Sequence, residues 1–458
     1  MTEDSVLSSS FRDPSGFVFQ RDGILYRQIN QVHREDYDHL MSSGLYETLV
    51  AAGLLISHEE AGDPVTADAY KVIRPERVEF ISYPYEWCFG QLKDAALATL
   101  RIQQAALDAG MSLRDASAYN VQFRGGRPVL VDTLSFERLR EGVPWVAYRQ
   151  FCQHFLAPLA LMSYRDVRLA QLLRTNVDGT PLDLAASLLP RRARFRFSLF
   201  LHIFSHARSQ RRHQADAGEQ TTRRRFTLQA FRGLIESLES AVRRLDWAPE
   251  RSVWTDYYGE ELGYSEEAFE HKKELVRKFV EEVAPETVFD LGGNVGVFAR
   301  IAAAQGIPTV CFDVEPSCVE ANYRQVVADG ETNLLPLVLD LTNPSPGVGW
   351  ANRERQSLVE RGPADMALAL ALVHHLAIGN NVPLPMMAGF LSEVCRWLLV
   401  EFIPKDDPRV GALLASREDI FPDYNVEGFE RAFDQRFQIE RREEIRESPR
   451  VLYLMRGR

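Results

Sequence analysis

The end of the chain constrains its fold more than any other stretch. "FQIERREEI" (437–445) and "RVLYLMRG" (450–457) both alternate as strands do, and only "RESP" separates them. Strands joined that tightly must run antiparallel, because a parallel pair needs a crossover of a dozen or more residues. Upstream the pattern is different. Strand-like runs near 287–291, 308–313, 334–340, 365–372 and 397–403 are separated by helical stretches. Such alternation implies right-handed crossovers and a parallel sheet covered by helices on both faces. The C-terminal half is therefore expected to be a parallel α/β sheet closed at one edge by an antiparallel hairpin.

In such a sheet, ligands sit beyond the carboxyl ends of the strands where the strand order reverses. The turn to inspect is "VFDLGGNVGVFARIAA" (288–303). A dinucleotide fingerprint needs glycines at the second and fifth positions after Gly292, and Asn294 and Val297 stand there. Asp290, at the strand end, would also repel a pyrophosphate. No Gly-Lys-Ser/Thr follows, so a P-loop fails too. A net charge of -11 argues likewise against a general polyphosphate or nucleic-acid binder. A cationic ligand reverses the sign of these objections, since carboxylates give charge-assisted hydrogen bonds to an ammonium. Asp313, 21 residues after Gly292 in "PTVCFDVEP", has the spacing of a ribose-reading acid, with Glu315 in reserve. Asp340 ends the third strand in "LPLVLDL".

With these residues in view, 254–458 resembles a class I S-adenosylmethionine-dependent methyltransferase. "DLGGNVG" is similar to the D-x-G-x-x-x-G form of that family's first motif, and the terminal hairpin matches the family's sheet edge. The resemblance implies a Rossmann-like seven-stranded sheet binding S-adenosyl-L-methionine. Asp290, Gly292 and Gly296 would hold the methionine part, Asp313 the ribose, and Asp340 with Leu341 the adenine. Asn294 replaces the commoner glycine, a position where Asn tolerates left-handed geometry.

The fourth-strand region "ADMALALALVHHLAIGNN" faces the transferred methyl in that fold. The Asp/Asn-Pro-Pro-aromatic motif of amino methylation is absent, and Cys395 lies too far along to be a cytosine nucleophile. His374 and His375 are the candidate catalytic residues, because a neutral imidazole can take an acceptor hydroxyl's proton near pH 7. The competing reading has one histidine capping a helix and the other packing beside the cofactor. "SVWTDYYGEELGYSEEA" is either a lid carrying Trp254, Tyr257 and Tyr258 or packing for the first helix. A small-molecule acceptor methylated at oxygen is expected.

The N-terminal half reads as α+β. "GFVFQRDGILYRQI" suggests a hairpin about "RDG", 68–84 a strand pair broken near Pro75, and "YEWCFGQLKDAALATLRIQQAALDAGM" a helix ended by Gly110. "LRDASAYNVQFRGGRPVLVDTLSF" then resembles the catalytic and metal-binding segment of protein-kinase-like folds, including small-molecule kinases. Asp115, Asn120 and Asp132 stand at the positions of that family's base and its two magnesium ligands. The resemblance implies ATP and Mg2+, and "VEFISYPYEW" resembles the hinge strand. Departures are several. Leu113 replaces the His of the family's HRD, Thr133-Leu134 follow Asp132 instead of Phe-Gly, only Gly16 and Gly23 stand where a Gly-rich loop would, and Lys71 is a weak stand-in for the phosphate lysine. The favoured reading is a module that binds substrate or nucleotide without chemistry. The alternatives are an active phosphotransferase, which would make the protein bifunctional, and an unrelated domain whose acids cap turns. A non-catalytic ligand-binding scaffold is the alternative for the whole chain.

Between the halves, Arg191–Arg225 holds ten arginines against Asp216 and Glu219. It reads as a solvated linker, with an anionic partner such as RNA left open. The domains expected are 1–185 (kinase-like or substrate-binding), 186–250 (basic linker and helix) and 251–458 (methyltransferase). Five cysteines without CxxC pairing read as buried thiols, no metal-ligand set stands out, and the N-terminus lacks signal-peptide features. Cytoplasmic location and no membrane partner are the expectations.

Overall fold

The computed structural model describes residues 5–205, 227–248, 265–415 and 418–458. It divides into two compact units, Met1–Ala248 with Val348–Arg355, and Pro249–Gly347 with Gln356–Arg458.

The C-terminal unit is built on seven strands: β10 (Val288–Leu291), β11 (Thr309–Asp313), β12 (Leu334–Val338), β13 (Ala364–Ala369), β14 (Cys395–Phe402), β15 (Phe437–Glu444) and β16 (Val451–Gly457). Their order is β12-β11-β10-β13-β14-β16-β15. β10 to β14 pair in parallel, while β16 runs antiparallel to both β14 and β15, so the closing hairpin takes the edge position expected of it. β10 lies between β11 and β13, where the order reverses, and its carboxyl end is the switch point.

The helix Glu266–Val283 shows how local sequence feeds this core. Ser265 caps it by accepting from the Ala268 amide at 3.1 Å, and Glu266 and Glu267 complement the helix N-terminus. Its stripe of Ala268, Leu275, Val276, Phe279 and Val280 is buried against Val288, Met366, Leu368, Leu399 and Leu452 from four strands. Lys272 falls inside that stripe.

The N-terminal unit carries a five-stranded antiparallel sheet ordered β1-β2-β3-β5-β4. These strands are β1 (Ser5–Val6), β2 (Gly16–Arg21), β3 (Ile24–Asn30), β4 (His58–Glu60) and β5 (Ala69–Pro75). The β2–β3 hairpin turns on Asp22 and Gly23, both at positive φ, as "RDG" predicted. The second strand expected after Pro75 does not form. "VEFISYPYEW" is irregular and holds one 3-10 turn, Pro84–Glu86, with Trp87 Nε1 donating to Ser82 Oγ at 2.9 Å. Proline cannot donate to a ladder, and β5 pairs instead with β3 and the short, charged β4. Below the sheet come the helix Phe89–Asp108, β6 (Met111–Leu113), the hairpin of β7 (Val121–Arg124) and β8 (Arg127–Leu130), and β9 (Phe136–Arg138).

The basic segment is corrected in part. Residues 191–205 are helical turns with Ala193, Leu199, Ile203 and Phe204 buried, because apolar residues alternate with the arginines. Residues 206–226 lie outside the described residues, as do Trp254, Tyr257 and Tyr258. The helix Leu228–Arg243 belongs to the N-terminal unit: Phe231, Ile235 and Leu238 are buried, and Arg232 pairs with Asp108 at 2.6 Å. The described part of the segment expected as basic linker and helix over 186–250 thus belongs to the first unit, and the second unit starts at Pro249.

Candidate functional site

A cavity of about 290 Å³ opens at the switch point. Of the residues expected to hold the cofactor, Asp290, Gly292, Asn294, Asp313, Asp340 and Leu341 line it. Gly296 does not. It sits at φ +82°, where an added Cβ would come within 2.5 Å of Asn322, so its part is close packing behind the turn.

Asp290 ends β10 fully buried, and its Oδ2 has no hydrogen-bond partner. Burial first, and the neighbouring Asp313 second, push its carboxyl up to about 7. Asp313, at the end of β11, accepts from the Asn294 and Glu315 amides at 2.8 Å each. Burial still outweighs those bonds and pushes its carboxyl up to about 6. Asn294 takes φ +53°, which is what lets its amide turn toward Asp313. Asp340 accepts from the amide and hydroxyl of Thr342 at 2.8 and 2.7 Å. Asp290 Oδ2 is open to accept from a donor that enters the cavity. The carboxylates and the bare turn fit a positively charged nucleoside.

Among the lining residues that the sequence did not single out, two shape the site most. Gly293 is one: a Cβ there would stand 2.5 Å from both Asp290 Oδ2 and Cys311 Sγ. Lys272 is the other. It is buried, donates to Glu401 Oε2 at 2.7 Å, and lies 4.6 Å from the centroid of the Phe298 ring. Glu401 Oε2 also accepts from the Ala371 amide at 2.8 Å. Behind it Arg450 approaches Glu401 at 3.8 Å and holds Asp407 at 2.7 and 3.3 Å. The available signal was a lysine inside the apolar stripe of an otherwise regular amphipathic helix.

The histidine pair is split. His375 lines the cavity with Leu372, Leu376 and Asn380, whereas His374 lies behind it, buried, with neither ring nitrogen hydrogen-bonded. Their ring centroids are 4.1 Å apart. Burial lowers both below the ordinary histidine value, for His374 well below, with His375 and the cations Arg450, Arg409 and Lys272 adding to it. Both imidazoles are neutral at pH 7.

In the N-terminal unit, Asp115, Asn120 and Asp132 do come together. The side chains of Gln150 and Asn120 hydrogen-bond Asp115, whose carboxyl is raised by burial and by Asp132. Asp132 accepts from the Leu134 amide and the Ser135 hydroxyl at 2.9 Å each. Its other partner is Arg27 of β3, at 2.7 Å, with side chains only 12% and 14% exposed. Lys71 is engaged elsewhere, with Glu60 at 2.5 Å. Arg27, missed from the sequence, is thus the cation that meets the acid after the hairpin. Arg27 already stands against Asp132, and among the described residues no group of three His, Cys, Asp or Glu could hold an ion by itself. Arg27→Gln should lower unfolding free energy by about 1–3 kcal/mol, the cost of unpairing a charged hydrogen bond in a mostly buried setting. Urea denaturation checks this, and an unchanged midpoint would mean the pair is only a surface contact.

All five cysteines are free and buried. Among the described residues no helix is long and apolar enough to cross a membrane.

Comparison with known proteins adds the following. No family model matches the chain. The nodulation protein NoeA of Rhizobium meliloti (strain 1021) is 37% identical over 458 residues, which cover 98% of this chain and 95% of NoeA. Among solved structures, WbdD overlaps 43% of this chain and 43% of its own at 14% identity and TM-score 0.31, so the chain spans less than half of WbdD. The N-methyltransferase NodS from Bradyrhizobium japonicum WM9 overlaps 42% of this chain and 98% of its own at 8% identity and TM-score 0.31. A putative O-methyltransferase from Nostoc punctiforme PCC 73102 overlaps 46% and 62% at 17% identity and TM-score 0.33. The C-terminal sheet has the strand order of the class I methyltransferase fold. By its likeness to NoeA along nearly its whole length, the chain belongs to the family of that nodulation protein, and its C-terminal unit has the class I methyltransferase fold.

Proposed function

We propose that the C-terminal unit transfers a methyl group from S-adenosyl-L-methionine to an oxygen of a small-molecule acceptor. The N-terminal unit would be a kinase-like module that binds an anionic substrate or nucleotide without transferring phosphoryl. The observation that carries the first part is Asp290, buried at the switch point with one oxygen unpartnered and Asp313 beside it. When bound, S-adenosylmethionine supplies an electrophilic methyl on a sulfonium. The chain's residues do the rest. Asp290 would take the ammonium, Asp313 the ribose hydroxyls, and Asp340 with Leu341 would border the adenine. His375, neutral and at the cavity wall, would accept the acceptor's hydroxyl proton, with His374 packed behind it as a positioning residue. Leu370, Leu372 and Leu376 keep that wall apolar and limit water.

Affinity for S-adenosylmethionine should fall as pH drops through about 7 and then about 6, where Asp290 and Asp313 take up protons. The ligand prefers both acids ionised, so each proton that must leave on binding weakens affinity by up to about tenfold per pH unit. Calorimetry over this range tests the point. An affinity independent of pH would remove Asp290 and Asp313 from the contact set.

For the N-terminal unit, the Arg27–Asp132 ion pair supports the binding reading over phosphotransfer, because it occupies the acid on which phosphotransfer would rely for magnesium. Phosphoryl transfer to a hydroxyl by the full chain in ATP and magnesium, abolished by Asp132→Ala, would reverse that preference and make the protein bifunctional.

A further inference from the structure

The segment 191–205 shows two faces. Inward, Ala193, Leu199, Ile203 and Phe204 are buried, and His202 is fixed between the Tyr148 hydroxyl at 2.7 Å and the Ser237 hydroxyl at 2.9 Å. Outward, Phe195, Phe197, Phe200 and Leu201 are 89%, 77%, 46% and 39% exposed, and Arg191, Arg192, Arg194 and Arg196 are exposed between and before them. Aromatic groups are costly to leave in water at such density, and single scattered apolar residues do not explain four within seven positions. Beside them lies a cavity of about 160 Å³ whose walls include Arg196, Phe197, Ser240 and Arg244. Neither guanidinium has an ion-pair partner among the described residues.

From this surface we propose that the N-terminal unit docks on an anionic lipid bilayer, with Phe195, Phe197, Phe200 and Leu201 entering the headgroup–acyl boundary and Arg196 and Arg244 receiving a lipid phosphate in the notch. The occupant follows from charge and chemistry together. The chain as a whole is acidic, with a net charge of -11, so a local cluster of arginines selects a negative partner against the global repulsion. A second copy would set arginines against arginines, which opposes pairing. A nucleic acid would use the aromatic rings but leave Leu201 and the ring edges exposed, whereas a bilayer interface takes cationic heads and apolar bodies at once. This is a peripheral contact and not a span, and it departs from the sequence expectation of no membrane partner. It is independent of the methyltransferase reading.

Full-length protein should co-sediment with vesicles of phosphatidylcholine and phosphatidylglycerol and not with phosphatidylcholine alone. The double variant Phe195→Ser/Phe197→Ser should lower the partition coefficient roughly tenfold or more, since both rings enter the interface. Arg196→Gln/Arg244→Gln should lower it roughly tenfold, and added salt should mimic that loss. These side chains are exposed, so circular dichroism should be unchanged. The proposal is overturned if wild-type protein ignores anionic vesicles, if it binds them equally well after both double substitutions, or if Phe195→Ser/Phe197→Ser instead abolishes self-association or poly-uridylate binding with no vesicle binding in the parent.

Discussion

Asp290→Asn is expected to unfold at a higher temperature than the parent at neutral pH while binding S-adenosylmethionine roughly ten- to a hundredfold more weakly. The second effect is the loss of a charge-assisted bond, about 1.5–3 kcal/mol. The first follows from the direction of the pKa shift. Asp290 is pushed from an ordinary 3.8 up to about 7 in the folded chain, so between those values the native state holds a proton that the unfolded state has released. Stability therefore falls as pH rises across that window. Below it the penalty is absent, and above about 7 it is complete. A shift of that size corresponds to up to about 4 kcal/mol, at about 1.4 kcal/mol per unit. Asparagine carries no such penalty. The stability gap between variant and parent should be widest above about pH 7 and close toward the ordinary aspartate value. Thermal unfolding at several pH values reads this directly, and a gap that does not change with pH would refute the account of Asp290. A gap that widens with pH as expected makes the site a case where function is held at the expense of stability.

The other large effect is expected from Lys272→Met. Lys272 and Glu401 are 2% and 0% exposed and 2.7 Å apart. Removing the lysine leaves a carboxylate buried without its main partner, which typically costs about 3–5 kcal/mol. Arg450 at 3.8 Å moderates the loss but is already committed to Asp407. Lys272→Met/Glu401→Gln should recover much of the deficit, because the stranded charge goes and the amide oxygen still accepts from Ala371. Denaturant unfolding of the three proteins decides. A single variant within about 1 kcal/mol of the parent, or a double variant no better than the single, would show that the pair is not a unit.

Much of the C-terminal unit was legible because its signals are short-range. Strand–helix alternation, the "RESP" link and the acids at strand ends each depend on neighbours in sequence, and they fixed the sheet's direction, its edge and the mouth of the cavity. What stayed hidden depends on residues far apart. Lys272 meets Glu401 across 129 positions, and nothing local marks either as a partner. Gly293 mattered through Cys311 on the next strand, which no motif spacing encodes. Likewise Arg27 reaches Asp132 only once the hairpin and the loop after β8 have folded. Asp115, Asn120 and Asp132 were readable as a motif, but the guanidinium that changes their chemistry was not. The strand expected after Pro75 failed for a different reason: apolar alternation in "VEFISYP" reflects packing of an irregular segment. In 191–205 the arginines interrupt the apolar residues that bury its inner face, so the run has no clear hydrophobic period.

Calorimetry of the full chain with S-adenosylmethionine, repeated on Asp313→Ala, tests whether the acids at the switch point hold the cofactor. Saturable binding to one site is predicted, weakened by about 1–3 kcal/mol in the variant, in keeping with loss of a buried charged hydrogen bond. No heat of binding at millimolar ligand, or an affinity that Asp313→Ala leaves untouched, would contradict it.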